Sequence, residues 1–132
     1  MTATLIDGKA IAARMRDETR AEAGRLTLDL MEAALGAGAG LKDATPYNVM
    51  FEGPRAVFVD ALSVEPRERR DPLWRAAAQF ERTFLYPLAA LGCGVPLAMS
   101  LGLRRDGPEP EELSAWAGPL RRWWPPYLAL AA

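Results

Sequence analysis

The pentapeptide GAGAG at residues 36–40 constrains this chain more than any other stretch, because it closes a run that is otherwise helical. Glycine ends helices more readily than any residue except proline, since it adopts left-handed backbone at no steric cost. Upstream of it, Asp7 stands at an N-cap position before Gly8 and Lys9. Ile11, Met15, Leu26 and the alanines between them recur at helical spacing, with Arg14, Arg16, Asp17, Glu18 and Arg20 predicted to face outward. Glu18 and Glu22 lie three or four positions from arginines, a spacing worth a few tenths of a kcal/mol per pair. Gly24-Arg25 marks a join to a second helical stretch, LTLDLMEAAL at 26–35, and ATLI at 3–6 suits a short strand before the helix. GAGAG also invites a nucleotide reading. Nucleotide loops, however, place their glycines directly after a buried strand, so that backbone N–H groups meet the ligand at a helix start. Here the preceding residues have helical spacing, which favours a helix end and a turn.

Past the glycines, NVMF (48–51) and AVFVDAL (56–62) are rich in β-branched and aromatic residues, with EGPR between them as a turn. Together they predict a β-hairpin over about 48–62. Asp71-Pro72 reads as an N-cap and first residue of a helix running to about 91, with Leu73, Ala77, Phe80, Phe84, Leu88 and Leu91 on its buried stripe and a kink at Pro87. GCGVP at 92–96 is a break, LAMSLGL a short helix, RRDGPEPEE a loop, and Glu111 to Trp124 a last amphipathic helix stopped by Pro125-Pro126. The fold class that follows is α+β, mostly helical with one small hairpin.

Composition narrows the function classes. With 132 residues, half of them apolar, and a formal net charge of −1, the chain is of ordinary globular make-up and lacks the excess of Lys and Arg that a broad nucleic-acid face needs. It has no His, which removes the usual zinc sites and every Ser-His or Cys-His pair. Cys93 is the single cysteine, lies between two glycines with no basic neighbour in sequence, and reads as neither a disulfide partner nor a nucleophile. The apolar-leaning run at 84–103 is diluted by Pro87 and Pro96 and reads as a buried helix plus a turn. MTATLIDGKA lacks the basic flank and apolar core of a signal peptide. The expectation is a cytoplasmic protein with no membrane and no nucleic-acid partner.

Two family resemblances follow from particular residues. MTATLIDGKAIAARMRDETRAEAGRL at 1–26 resembles the opening strand and helix of methylenetetrahydrofolate dehydrogenase/cyclohydrolase. That family's Tyr-x-x-x-Lys segment is not matched, since Tyr47 is followed by Asn48, Val49, Met50 and Phe51. Residues 28–124, with LKDATPYNVMFEGPRAVFVDALSVEP and then PLWRAAAQFERTFLYPL, are similar to the N-terminal region of bacterial class I SAM-dependent methyltransferases of nodulation type. The resemblances divide the chain into a strand–helix opening at 1–26 and a methyltransferase-family segment at 28–132. They imply SAM as the family cofactor, with the methyltransferase domain itself expected beyond Ala132.

Within that segment, Lys42, Asp43, Asn48 and Asp60 resemble the catalytic loop of protein kinases and aminoglycoside-type phosphotransferases, with altered spacing. The resemblance implies Asp43 as the base that takes the hydroxyl proton, Asn48 and Asp60 as Mg²⁺ ligands, and Lys42 beside the transferred group as a cofactor-binding residue. The bland reading is that Asp43 and Asp60 cap turns, while Thr45 and Asn48 bond nearby backbone. No glycine-rich phosphate loop and no strand lysine paired to a helix glutamate accompany the set. RRWWPPY at 121–127 combines arginines with three aromatics, which predicts a sticky C-terminal surface for self-association or for a protein partner. The sequence therefore predicts a truncated or chimeric segment of a SAM-dependent methyltransferase-family protein without a complete active site. A small protein-interaction module and a methylenetetrahydrofolate dehydrogenase/cyclohydrolase fragment are the alternatives.

Overall fold

The computed structural model describes residues 7–68, 70–102 and 104–121. The strand expected at 3–6 and the aromatic run from 122 onward lie outside the described residues.

The chain opens on one long helix, α1 (Gly8–Gly36), that runs straight through Gly24-Arg25 without the join read from the sequence. Asp7 caps it, its carboxylate accepting the backbone N–H groups of Lys9 and Ala10 at 3.0 and 3.1 Å. Arg14–Glu18 at 3.6 Å and Glu22–Arg25 at 3.9 Å are the expected surface pairs. The buried face is confined to the second half, at Ala23, Gly24, Thr27, Met31 and Ala34.

The GAGAG stretch ends the helix, with Gly38 at φ 74°, but its last residues do more than turn. Strand β1 (Ala39–Leu41) pairs antiparallel with β4 (Val64–Pro66), Leu41 opposite Val64 and Ala39 opposite Pro66. This second ribbon carries no alternating pattern in its three residues, and tertiary pairing alone makes it a strand. The predicted hairpin is β2 (Val49–Glu52) with β3 (Arg55–Phe58), Val49 opposite Phe58 and Glu52 opposite Arg55. Its two-residue turn puts Gly53 at φ 58°, the positive φ that such tight turns favour. The architecture is α+β and mostly helical, as the pattern predicted.

The second long helical stretch begins at Ala77, later than the Asp71-Pro72 signal indicated. Asp71 caps a local turn instead, its carboxylate accepting the N–H of Leu73 at 2.9 Å. Trp74 is held off helix by its indole N–H, which donates to the carbonyl of Leu41 in β1 at 3.0 Å. Leu73 is consequently exposed, a correction to the predicted stripe. From Ala77 the stretch runs as α2 (Ala77–Phe80), a π-helical turn (Glu81–Leu85) and α3 (Tyr86–Gly92). Pro87 explains the π turn. It has no N–H to give to the carbonyl of Thr83 four residues back, and the backbone widens just ahead of it, with the N–H of Tyr86 reaching the carbonyl of Glu81.

Short helix α4 (Leu97–Leu101) and helix α5 (Pro110–Arg121), interrupted at Gly118 (φ 68°), pack on α3. Helix α5 starts on Pro110 at its first position, and the Glu112 carboxylate bonds back to the N–H of Glu109 at 2.9 Å. The core is Ala23, Ala44, Val49, Ala76, Phe80, Phe84 and Leu85, with the rings of Trp74, Phe80 and Phe84 in a tilted row at 5.4 and 5.0 Å. Among the described residues, no helix is long and apolar enough to cross a membrane.

Candidate functional site

Segment 42–63 is where the sequence pointed. It leaves β1, turns through a 3₁₀ helix at Pro46–Asn48, makes the hairpin, and returns through a second 3₁₀ helix at Ala61–Ser63 into β4. The two ends meet at a residue the sequence reading missed, Ser63. This side chain is 1% exposed. Its carbonyl accepts the backbone N–H of Lys42 at 2.9 Å. Its hydroxyl donates to Asp60 Oδ2 at 2.5 Å and accepts from Asn48 Nδ2 at 3.2 Å. The second oxygen of Asp60 accepts the N–H of Leu62 at 3.1 Å. The spacing Asp60-x-x-Ser63, in which a carboxylate can cap a turn that ends on a hydroxyl, was the available signal.

Asn48 and Asp60 are thus brought together, with Ser63 as the link between them. Asn48 is buried, and its carbonyl takes the N–H of Val59 at 2.8 Å, so it anchors the base of the hairpin. Lys42 joins the cluster through its main chain, while its residue is exposed. Asp43 is half-buried and has one buried oxygen, Oδ1, with no hydrogen-bond partner. Next to it the N–H of Ala44, whose residue is fully buried, donates to Gln79 Oε1 at 2.7 Å, which ties the loop to α2. Among the described residues, no group of three or more His, Cys, Asp or Glu is arranged to hold a metal.

A second residue misread from the sequence is Arg20. Predicted to face out, it turns inward, donating to the carbonyl of Thr83 at 2.9 Å and lying 6.0 Å from the Phe84 ring. That carbonyl is the one left without its usual donor by Pro87, so the guanidinium completes the π turn. Thr83 also bonds back to the carbonyl of Gln79 at 2.8 Å. Burial pushes the Arg20 pKa down from its ordinary value, with nearby Tyr47 acting the other way.

Two cavities flank this region. One, of about 280 Å³, is lined by β1, β4 and the following loop, including Glu65, Arg67, Glu68, Asp71 and Arg75. Its cations are held within it, Arg75 by Glu65 at 3.7 Å and Arg67 by the carbonyl of Asp71 at 2.5 Å. The other, of about 340 Å³, lies between α1, the hairpin and α4.

With this geometry in view, comparison with known proteins gives one partial relative. A stretch of 64 residues is 47% identical to nodulation protein NoeA of Rhizobium meliloti (strain 1021), covering 48% of this chain and 12% of that protein. The chain therefore matches only a small part of that relative's length. No protein-family model matches the chain, and no solved structure matches it. The resemblance to a nodulation-type protein read from the sequence is supported over that stretch.

Proposed function

We propose that this chain is a nodulation-type segment of a SAM-dependent methyltransferase-family protein that shapes a surface and does not itself catalyse. The observation that carries the reading is the 47% identity over 64 residues to NoeA, together with the extent of that match, 12% of the relative. The resemblance of residues 28–124 to the N-terminal region of such methyltransferases supplies the family. In this reading Asn48, Ser63 and Asp60 serve as a brace closing the 42–63 excursion.

The bonding of those side chains supports a brace. Both oxygens of Asp60 already accept hydrogen bonds, and the Asn48 amide already donates one. A Mg²⁺ ion at Asn48 and Asp60 would compete with the Ser63 hydroxyl for Asp60 Oδ2, and it demands near-octahedral oxygen ligation that this pair alone does not supply. Asp43 keeps one buried oxygen, Oδ1, without a hydrogen-bond partner.

Isothermal titration of the purified chain with SAM, NADP and Mg-ATP tests the proposal. No saturable binding of any of the three is expected. Saturable SAM binding would place a cofactor site in this segment, saturable NADP binding would favour the dehydrogenase/cyclohydrolase alternative, and Mg-ATP binding lost in Asp60→Asn would revive the phosphotransferase reading.

A role as an interaction module is the alternative reading. Leu62, Met99 and Met50 are 81%, 69% and 62% exposed. An interaction role requires such side chains to form one contiguous patch, since apolar residues scattered singly over a surface are ordinary. Light scattering distinguishes a dimer from a monomer.

A further inference from the structure

The cavity between α1, the hairpin and α4 has a charge pattern that the proposed segment role does not use, and it shares no lining residue with the Ser63 cluster. One wall is α1, with Arg16, Thr19, Arg20 and Ala23. The others are apolar: Pro46, Phe51, and Leu97, Ala98 and Leu101 of α4. Arg16 and Arg20 are four residues apart and therefore neighbours on one helix face, a like-charge pairing that costs stability. Neither is ion-paired to a carboxylate among the described residues, in contrast to Arg14, Arg25, Arg75, Arg82 and Arg104.

Two adjacent cations lacking counter-charge on the wall of an apolar cavity are electrostatically incomplete. Repulsion between them is relieved by an anion that takes the Arg16 guanidinium and those N–H groups of Arg20 not given to the Thr83 carbonyl. The volume, about 340 Å³, lies at the small end of the range for ligand sites. It admits one ring system but not a dinucleotide. Thr19 does not compete for the anion, because its hydroxyl is already bonded to the carbonyls of Met15 and Arg16. We propose that this cavity binds a small anionic amphiphile, with a carboxylate or phosphate seated at Arg16 and Arg20 and a ring or short apolar body against Phe51, Leu97 and Leu101.

Fluorescence titration of the full chain with 1-naphthyl phosphate, 1-naphthoate and uncharged 1-naphthalenemethanol tests this. Both anions should saturate at one per chain and bind about tenfold or more tightly than the neutral probe, and the tighter of the two identifies the head group preferred. Arg16→Gln leaves the Arg20–Thr83 contact in place and should bring anion affinity down to near that of the neutral probe. Ala98→Trp, made at an exposed lining position, should fill the cavity and abolish binding of all three. Circular dichroism of both variants verifies that they remain folded, and Ala98→Leu replaces the tryptophan if that variant does not. Equal affinity for the neutral probe, anion binding unchanged in Arg16→Gln and the filled variant, or no saturable binding at millimolar probe overturns the proposal.

Discussion

In the opening turns of α1, Ile11 and Met15 sit four residues apart and are 43% and 57% exposed, whereas Phe80, Phe84 and Leu88, spaced identically, are 2%, 0% and 7% exposed. Both stretches are helical and both carry apolar residues at the interval that makes one face. The difference lies in what surrounds them. Helical stretch 77–92 is enclosed by the second half of α1 on one side and by α4 and α5 on another. The loop before α5 closes on it as well, where a Cβ on Gly107 would stand 1.9 Å from the carbonyl oxygen of Arg82. Helical spacing decides which residues share a face, and the rest of the chain decides whether that face is covered.

Substitutions across the two regions sharpen this contrast. Phe84→Ala removes a fully buried ring from the row with Phe80, and a loss of about 3–5 kcal/mol is expected in a denaturant titration followed by tryptophan fluorescence. Gly107→Ala combines a positive φ (75°) with backbone contact, so about 2 kcal/mol or more should be lost, and a neutral result would mean that the loop does not pack on the π turn. Ser63→Ala leaves Asn48 and Asp60 facing each other without their shared hydroxyl, at an expected cost of about 1–3 kcal/mol.

Smaller effects mark the exposed side of the comparison. Met15→Ser on the open half of α1 should change stability by no more than about 0.5 kcal/mol, and a large loss there would show that the face is covered in solution. The smallest effect is at the α5 start. Hydrogen bonds from Arg104 and from the Glu109 backbone hold the Glu112 carboxyl down at about 2, against an ordinary 4.5. Its folded value is depressed, so its contribution is present above pH 4.5 and fades as pH falls toward about 2. Comparing Glu112→Gln with the parent across that interval, the gap in denaturation midpoint should shrink as acid is added. Full exposure to solvent keeps that gap small.

How much of this was legible beforehand depended on whether the signal was local. Asp7 as a cap, Gly53-Pro54 as a hairpin turn and the breaks at 36–40 and 92–96 are set by residues adjacent to the feature, and the structure carries each of them. Ribbon β1–β4 joins residues more than twenty positions apart and has no pattern of its own, so nothing local announced it. Arg20 looked like one more solvated cation until Pro87, far along the chain, left the Thr83 carbonyl in need of a donor. Asp71-Pro72 had the right residues for a helix start, yet the pull of the Trp74 indole toward Leu41 overrode it. At the candidate site, Asn48 and Asp60 were singled out as ligands. Ser63, the residue that links them, announces itself only through its spacing from Asp60, three residues back, a weaker signal than the apolar strand it follows.

The π turn at Glu81–Leu85 has a consequence for the register of everything after it. One residue beyond the regular helical repeat is accommodated there, which advances the phase of α3 by roughly 100° relative to an uninterrupted helix. In the register that results, Pro87, Leu88 and Ala90 are the buried residues of α3. A deletion of a single residue between Glu81 and Leu85 would therefore act as a rotation, swinging the α3 face away from α4 and α5 while leaving its sequence untouched.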